Sequence, residues 1–327
     1  MKSKIHILFT STFDASFISN DLESLRKKYD VTAIGAHGLP ALIRYFRALL
    51  STDLTFSWFA SVHSSLLVFL ARRRRMPSVI VVGGADVAQE KEFNYGVWNS
   101  WWRSRIVRYG ITHASMVLCV DEFLKNEAKR LANYDGSNLA TIPTGFDTHF
   151  FSPAGQKDHI VLTVGACPDM ARIKKKGIDV LLDVAQRMPE TKFIIVGIAQ
   201  SISPQLVVPV NVELHPLVSK QELLNFYRRS KVYCQPSRHE GLPSTLCEAM
   251  LCECIPVGSR VAGIPNAVGE TGFLVERENV EQTVRALEAA LKSGPELGRK
   301  ARIRIAKQFS PERRAEALYT IIDHLCR

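Results

Sequence analysis

The sequence predicts an α/β protein with two domains, each a doubly wound parallel sheet covered by helices. Short apolar runs alternate with amphipathic segments along the whole chain, and this pattern is typical of parallel sheets packed between helices. The pattern stops at a polar, turn-rich stretch near the middle and then starts again. A length of 327 residues is enough for two domains, and 46% hydrophobic with 23% charged residues is an ordinary globular composition.

The first half of the chain contains apolar runs separated by amphipathic segments. Strands are predicted at 5–10, 31–35, 54–59, 78–83, 116–120 and 139–143. Helices are predicted at 18–28, 41–51, 64–74, 99–109 and 122–133. The first apolar run follows a basic start but lacks a small-residue cleavage site, so it is interpreted as a buried strand and not as a signal peptide.

The second half begins after the turn-rich residues 152–157, Ser-Pro-Ala-Gly-Gln-Lys. Strands are predicted at 160–165, 192–197, 212–215, 231–235, 254–258 and 272–275, and helices at 178–187, 220–229, 244–251 and 280–293. Final helices are expected from 295 to 324, where Ser310 can cap a helix that starts at Pro311. The predicted domains are 1–153 and 158–310, followed by a last helix at 311–327.

The stretch 237–275 holds the densest set of candidate binding residues. Pro243 is tolerated in a first helical turn, and the start of the helix at 244–251 has unpaired N–H groups that suit a phosphate. Glu248 lies four residues after Ser244, so the two share a helix face. A carboxylate on that face can accept hydrogen bonds from the paired hydroxyls of a ribose. A second carboxylate, Glu240, precedes the helix.

Five short segments of this stretch come in one order: Glu240-Gly241-Leu242-Pro243, Glu248-Ala249-Met250, Pro256-Val257, Gly263-Ile264-Pro265 and Thr271-Gly272-Phe273-Leu274-Val275. They resemble the nucleotide-sugar site of retaining glycosyltransferases of family 4, which have the GT-B fold. The resemblance runs from residue 5 to the last helix and implies two Rossmann-like domains facing a cleft. It also implies that the first domain binds the acceptor, that the second binds the nucleotide sugar, and that the last helix packs back on the first domain.

A basic run follows the first strand of the predicted second domain. Gly165 ends that strand, and the cations Arg172, Lys174, Lys175 and Lys176 come before the next helix. A loop after a parallel strand is where open α/β sheets bind ligands, and these cations could hold a diphosphate. The run resembles the family's diphosphate-binding basic pair, although residues 166–171 stand where the family has an Arg directly after Val-Gly. Arg172 and Lys176 are the predicted pair, and Lys174 or Lys175 could replace either.

The resemblance implies transfer of a sugar from a nucleotide diphosphate sugar to a hydroxyl of a glycan or lipid-linked acceptor, with retention of the anomeric configuration. Glu248 would bind the ribose, Glu240 would contact the sugar hydroxyls, and Arg172 with Lys176 would neutralise the departing diphosphate. Stabilisation of developing charge in this way is usually a large catalytic term. The other predicted donor-binding residues are Gly165, Lys174, Lys175, Gly241, Leu242, Pro243, Ser244, Thr245 and Gly263.

The predicted first domain contains candidate acceptor-side residues in the segments that follow two of its strands. Asp86 comes after Gly83-Gly84, whose glycines allow close approach of the backbone to a ligand, and is a predicted catalytic residue. Gly84, Tyr95 and His63 are acceptor-side candidates, and a capped or core histidine is the alternative for His63. The order of these segments resembles a subset of the family that is mostly bacterial.

The formal charge of +10 leaves nucleic acid, an anionic membrane surface and a phosphate-bearing substrate open as partners. None of the nucleic-acid motif sets is present, so nucleic acid is not expected. Tryptophan and arginine at helical spacing fit a helix in a membrane interface, and a core-facing tryptophan stripe fits as well. The predicted basic surface comprises the arginines at 72–75, Trp98, Trp101, Trp102, Arg103, Arg105 and Arg108. From it we expect a cytoplasmic protein bound peripherally to the inner face of the cytoplasmic membrane.

Three further expectations concern cofactors, thiols and rival functions. No metal or other cofactor is expected, because enzymes of this type generally need none and the chain has no suitable carboxylate-X-carboxylate pair. The seven cysteines are mostly inside apolar segments and are interpreted as buried free thiols of a reducing cytoplasm. The rival functions are a nucleotide-sugar epimerase of the same architecture, which would act without an acceptor, and a non-catalytic membrane-surface protein, which would bind no nucleotide.

Overall fold

The computed structural model describes residues 4–13, 15–35 and 38–327, which form two compact units. The first unit combines residues 1–145 with 311–327, and the second is 146–310. The sequence places the first boundary at 152–157, whereas the structure places residues 146–153 in the second unit. The N–H of Phe146 donates to the carbonyl of Phe309 at 2.9 Å, and the guanidinium of Arg302 donates to the carbonyl of Phe151 at 2.9 Å.

The first unit contains a six-stranded parallel sheet with the order β2-β1-β3-β4-β5-β6. Its strands are β1 His6–Ser11, β2 Asp30–Gly35, β3 Leu54–Trp58, β4 Ser78–Val82, β5 Met116–Cys119 and β6 Leu139–Thr141. Every residue of β3 and β4 is buried. Central parallel strands are covered on both faces, which explains why the sequence shows continuous apolar runs there instead of alternation.

The helices of the first unit divide between the two faces of this sheet. The helices between its strands are α1 Ser16–Lys28, α2 Gly38–Ala48, α3 Val62–Arg73, α4 Trp101–His113 and α5 Glu122–Ala132. The chain passes from β1 to β2 in one direction and from β2 towards β6 in the other. Because crossovers between parallel strands are right-handed, α1 covers one face and α2 to α5 cover the opposite face.

The second unit contains a six-stranded parallel sheet with the order β12-β11-β10-β7-β8-β9. Its strands are β7 Asp158–Cys167, β8 Lys192–Ile198, β9 Val212–His215, β10 Ser230–Gln235, β11 Ile255–Ser259 and β12 Phe273–Val275. Strand order reverses between β7 and β10. In doubly wound sheets the crevice at the carboxyl ends of two such strands is where ligands bind.

Seven helices accompany the second sheet within the described chain, and a last helix returns to the first unit. They are α6 Met170–Lys176, α7 Ile178–Gln186, α8 Lys220–Arg229, α9 Ser244–Leu251, α10 Ile264–Val268, α11 Val280–Lys292, α12 Pro295–Gln308 and, in the first unit, α13 Pro311–Leu325. A buried ion pair fastens α13 to α1: the guanidinium of Arg314 meets the carboxylate of Asp21 at 2.7 and 3.0 Å.

Two segments differ from the sequence prediction. Residues 170–176 form α6, where the basic run predicted a loop, because the carboxylate of Asp169 caps the helix by accepting from the N–H of Arg172 at 2.8 Å. Residues 264–268 form α10, for which the sequence predicted no helix. The described part of the chain contains no helix that is both long and apolar enough to cross a bilayer. All seven cysteines are free thiols and six of them are buried.

Candidate functional site

The carboxyl ends of β7 and β10 bring together two segments that are far apart in the sequence. One is α6 with Gly177, and the other is the loop 236–243 that leads to α9. A side chain at Gly177 would place its Cβ 2.0 Å from the carbonyl oxygen of Pro236, and the φ angle of Gly177 is +67°. Glycine is therefore required there, and the end of α6 lies directly against the loop after β10.

Glu240, in the loop 236–243, is a buried carboxylate with 7% of its surface exposed. Its Oε1 atom accepts hydrogen bonds from Nζ of Lys176 at 2.6 Å, Nε2 of Gln235 at 2.9 Å and Oγ of Ser237 at 2.8 Å. All three of these hydrogen bonds end on Oε1. They fix the carboxylate, and an ionised carboxylate can accept further hydrogen bonds on its other oxygen.

The charges around Glu240 set its protonation state. Burial alone would raise its pKa, but the ammonium groups of Lys176 and Lys175 hold the pKa of Glu240 at about 2. Lys175 is itself 3% exposed, and burial lowers its pKa to about 8, against the opposing effect of Glu240. Glu240 is thus ionised at neutral pH and has two lysines beside it.

Because the basic run forms helix α6, its cations point in different directions around the helix axis. Lys175 and Lys176 come three and four residues after Arg172, so both are its neighbours on the helix surface, and the charges of both lysines act on Glu240. Lys174 lies on another face and its side chain is exposed. Gly165 lies beside Lys176, since a Cβ at Gly165 would be 3.3 Å from Cγ of that lysine. Of the two predicted replacements, Lys175 is at the site and Lys174 points away from it.

Helix α9 occupies residues 244–251, the range that the sequence predicted, with Pro243 as the residue before it. Glu248 is buried in this helix, and its Oε2 accepts a hydrogen bond from the hydroxyl of Tyr227 at 3.1 Å. Burial raises the pKa of Glu248 to about 7, while the Tyr227 hydrogen bond and the charge of Lys220 oppose the rise. Glu248 therefore changes charge near neutral pH, which the sequence did not indicate.

The remaining predicted donor-binding residues lie in or beside the same loop. Gly241, Leu242 and Pro243 lead into α9, and Ser244 is its first residue. The hydroxyl of Thr245 receives a hydrogen bond from Tyr233 at 2.8 Å. The N–H of Gly263, at the start of α10, donates to the carbonyl of Gly241 at 3.2 Å. The structure thus gathers these residues around one end of the second sheet.

Sequence reasoning missed three residues that hydrogen-bond to the two glutamates: Gln235, Ser237 and Tyr227. Gln235 and Ser237 flank a proline at the end of an apolar strand, and polar residues in that position are a usable signal. Tyr227 gives no local signal, because it meets Glu248 only through the packing of α8 on α9. Within the described chain, no group of three or more His, Cys, Asp or Glu side chains is arranged to hold a metal ion.

Asp86 lies in the segment that follows β4, and its carboxylate also contacts the segment that follows β3. Its carboxylate accepts from the backbone N–H groups of Gly84 at 2.7 Å, Ala60 at 3.1 Å and Gly83 at 3.2 Å, and the residue is 2% exposed. Burial raises its pKa, and these N–H groups oppose the rise. These hydrogen bonds hold the two loops together, and the catalytic role that the sequence analysis gives Asp86 stays a prediction.

The acceptor-side candidates lie after the same two strands. His63 is partly exposed in the first turn of α3. Gly84 has a φ angle of +149°, which few other residues adopt, and it adjoins Asp86. Tyr95 is partly exposed, and its backbone exchanges two hydrogen bonds of 2.9 Å with Glu90. All three lie at or beyond the carboxyl edge of the first sheet.

The predicted basic surface needs one correction, at Trp98. Trp98 is 5% exposed, and its Nε1 donates to the backbone carbonyl of Asp86 at 2.8 Å, so this tryptophan belongs to the core. Trp101 and Trp102 are 71% and 43% exposed, and Arg105 and Arg103 lie over their rings. The arginines at 72–75 are exposed. The surface therefore consists of these residues without Trp98.

The second unit of this chain is similar in sequence to a known protein family. Residues 147–308 match the family model described as glycosyl transferases group 1. A D-inositol 3-phosphate glycosyltransferase of Mycobacterium sp. (strain JLS) is 24% identical over 224 residues, which cover 61% of this chain and 50% of that protein. The chain thus spans about half the length of the first curated relatives that it matches.

Solved structures share the fold over nearly the whole chain. Sucrose-phosphate synthase from Thermosynechococcus elongatus has a TM-score of 0.81 at 16% identity, covering 98% of this chain and 99% of that one. Anabaena HepE, solved in complex with UDP-glucose, has a TM-score of 0.77 at 13% identity, covering 98% and 100%. Together with the two doubly wound sheets, these similarities confirm the predicted α/β, GT-B fold.

Proposed function

Because this chain belongs to the glycosyl transferases group 1 family, we propose that it moves a sugar from a nucleoside diphosphate sugar to an acceptor hydroxyl with retention of the anomeric configuration. The observation that carries the proposal is the ion pair between Lys176 and Glu240 at the point where strand order reverses in the second sheet. A fixed carboxylate beside fixed cations suits a ligand that has both sugar hydroxyls and a diphosphate.

Lys175 and Lys176, with their neighbour Arg172 on the helix surface, bind the diphosphate in this proposal. During transfer, the bond between the anomeric carbon and the diphosphate oxygen breaks, and that oxygen gains negative charge. The acceptor oxygen bonds to the same carbon from the same face, which gives retention, and the proton of the acceptor hydroxyl passes to the departing diphosphate. Cations already held in place stabilise the departing charge without rearranging in the transition state. A donor set of cations around one carboxylate does not suit a divalent metal, so we propose that no metal takes part.

The two glutamates bind the two sugars of the donor. Glu240 is ionised and is fixed through three hydrogen bonds to its Oε1, so in this proposal its Oε2 accepts hydrogen bonds from hydroxyls of the transferred sugar. Glu248 accepts hydrogen bonds from the ribose hydroxyls, while its Oε2 atom also accepts one from the hydroxyl of Tyr227. The N–H groups at the start of α9, at Ser244 and Thr245, face the phosphates.

The first unit binds the acceptor in this proposal, through the segments that contain His63, Gly84 and Tyr95. Asp86 supports them by fixing the backbone of both loops. The acceptor is the hydroxyl of a glycan or of a lipid-linked sugar.

A lipid-linked acceptor is favoured by one face of the first unit. Helices α2, α3 and α4 cover the same face of the sheet and contain no Asp or Glu. Their exposed side chains include both apolar and cationic ones: Ile43, Arg44, Phe46 and Arg47 on α2, Phe69, Arg72 and Arg73 on α3, and Trp101, Trp102, Arg103 and Arg105 on α4. Apolar side chains with arginines and no carboxylates suit the interface of an anionic membrane.

The helices of this face are joined by side-chain packing. Tyr45 and Leu49, on and directly after α2, share a buried cluster with Leu67 of α3, and Phe69 of α3 lies 6.3 Å from the ring of Tyr109 of α4. The face is therefore continuous across α2, α3 and α4. We propose that it holds the protein peripherally on the inner face of the cytoplasmic membrane.

The function is tested by a ligand screen followed by an assay of acceptor dependence. Thermal unfolding would be measured with UDP, GDP, ADP and their glucose conjugates, since a ligand that binds only the folded chain raises its stability. We expect at least one diphosphate to raise the Tm and the matching nucleotide sugar to yield product only with an added acceptor. Product without an acceptor would indicate an epimerase, and no nucleotide binding would indicate a non-catalytic protein.

A further inference from the structure

Arg238 is a buried arginine in the loop after β10, two residues before Glu240. Only 8% of its side chain is exposed. Its Nη1 atom donates to Oδ1 of Asp179 at 2.7 Å, and its Nε atom donates to Oε1 of Glu278 at 2.5 Å. These carboxylates come from the first turn of α7 and from the turn after β12. The guanidinium therefore joins three segments of the second unit.

The same arginine also binds the carboxyl end of α6. Its Nη1 atom donates to the carbonyl of Lys174, and its backbone N–H donates to the carbonyl of Lys175 at 2.8 Å. The last carbonyls of a helix have no partners further along that helix, and a cation beside them also interacts favourably with the helix dipole. Arg238 thus fastens the last turn of α6 to the loop that contains Glu240.

Two backbone features show that this fastening is tight. The end of α6 touches the loop at Gly177 and Pro236, where a Cβ would have no room. Glu278 has a φ angle of +61°, a left-handed conformation that non-glycine residues rarely adopt, at the position where its carboxylate meets Arg238.

We infer that Arg238 is a positioning residue, which fixes the end of α6 so that the ammonium groups of Lys175 and Lys176 face the diphosphate. The effect on substrate rests on the function proposed above, whereas the fastening of α6 rests on the contacts just described. Asp179 and Glu278 offset the charge of Arg238, so its action on the diphosphate runs through the position of the lysines. Loss of the guanidinium moves them relative to Glu240.

The inference is tested with Arg238→Gln and a matched control, Arg187→Gln. Arg187 is an arginine of the same unit that is half-exposed and paired with Glu281. UDP and uridine, or the diphosphate and nucleoside selected by the ligand screen, would be titrated by calorimetry. We expect Arg238→Gln to weaken diphosphate binding by about tenfold or more and to leave nucleoside binding within about twofold, with Arg187→Gln unchanged. Unchanged diphosphate affinity, or equal loss of both affinities, would overturn the inference.

Arg238→Lys separates position from charge. It keeps the positive charge but loses the planar fork that reaches a carbonyl and two carboxylates at once. We expect it to bind the diphosphate weakly, as Arg238→Gln does. Full recovery of affinity in Arg238→Lys would mean that charge alone matters and would overturn the positioning role.

A readout without ligand keeps this inference distinct from the proposed function. Hydrogen exchange of residues 172–178 would be followed in wild type, Arg238→Gln and Arg187→Gln. We expect faster exchange there only in Arg238→Gln, and unchanged exchange would overturn the inference even if the wild type bound no nucleotide. If Arg238→Gln does not fold, Glu278→Gln takes its place, because it removes one anchor of the guanidinium and its side chain is 43% exposed.

Discussion

The ammonium group of Lys176 lies 2.6 Å from Oε1 of Glu240, although the two residues are 64 positions apart in the chain. Lys176 ends a short helix and Glu240 lies in the loop after a strand, and the parallel sheet brings both to one edge. The pair joins the part of the site proposed for the diphosphate to the part proposed for the sugar. The predictions below start from this contact.

Lys176→Ala should weaken binding of the nucleoside diphosphate by about ten- to hundredfold, because a charge-assisted hydrogen bond is worth about 1.5–3 kcal/mol. Binding of the nucleoside should change little. The control is Lys174→Ala, which removes an exposed lysine of the same helix that faces away from the site. Calorimetric titration checks both variants, and equal effects of the two would contradict the assignment of Lys176.

Glu240→Gln should lower kcat by about 10²- to 10³-fold, since the fixed charge acts on the reacting sugar and such electrostatic contributions are of this size. The affinity for the nucleoside diphosphate should stay within about threefold, because that part of the donor meets the lysines. Steady-state kinetics and calorimetry measure the two effects. Glu270→Gln, at an exposed carboxylate of the same unit, is the control. A normal kcat in Glu240→Gln would exclude the role.

Donor binding should depend on the ionisation of Glu248. Burial raises the pKa of Glu248 to about 7, above its ordinary value of 4.5, so the folded chain keeps a proton that the unfolded chain has lost between these values. The ionised carboxylate is the better acceptor for ribose hydroxyls, so affinity should rise as pH passes from about 6 to 8. Titrations of the selected nucleotide across this range measure it. In Glu248→Gln this component should disappear, leaving the titrations of the phosphate itself and of Lys175, whose pKa is about 8.

Tyr227→Phe is a second test of the link between the pKa of Glu248 and donor binding. The hydroxyl of Tyr227 donates to the charged form of Glu248 and so opposes the rise in its pKa. Its removal should raise the pKa of Glu248 further and shift the pH dependence of donor binding upwards. An unshifted profile would mean that the hydroxyl does not act on this carboxylate.

Folding stability should depend on the buried pair between Arg314 and Asp21. Arg314→Met leaves a buried carboxylate without its cation, and removing one partner of such a pair costs about 3–5 kcal/mol. Lys28→Met is the control, because it removes an exposed ion pair with Asp323 between the same two helices and should cost less than about 1 kcal/mol. Urea denaturation measures both, and similar losses would contradict the prediction.

The basic surface should bind anionic lipid. A variant with glutamine at 72–75 loses four arginines, each worth about 1 kcal/mol near such a surface, so its binding should fall and become less sensitive to salt. A second variant, Phe46→Ser with Trp101→Ser, tests the apolar part of the face. Co-sedimentation with neutral and anionic vesicles at low and high salt measures association. Wild-type chain without a preference for anionic vesicles, or a glutamine variant that keeps it in full, would exclude this role for the arginines.

The sequence by itself determined the order of the strands, of the helices other than α6 and α10, and the bounds of α9. Those features follow from local patterns, since the spacing of apolar residues and the placement of Gly241 and Pro243 act within a few residues of one another. The basic run at 172–176 shows the limit of such patterns. Its charge predicted a loop, whereas the cap at Asp169 makes it a helix.

Only the tertiary structure decided which side chains of these segments are buried and what they meet. It turned Lys175 and Lys176 towards Glu240 and Lys174 towards solvent, placed Trp98 in the core, and engaged Asp86 with backbone N–H groups. The titration of Glu248 near neutral pH also depends on burial by distant segments. Burial and ion pairing depend on residues that are tens of positions apart, so no local pattern contains them.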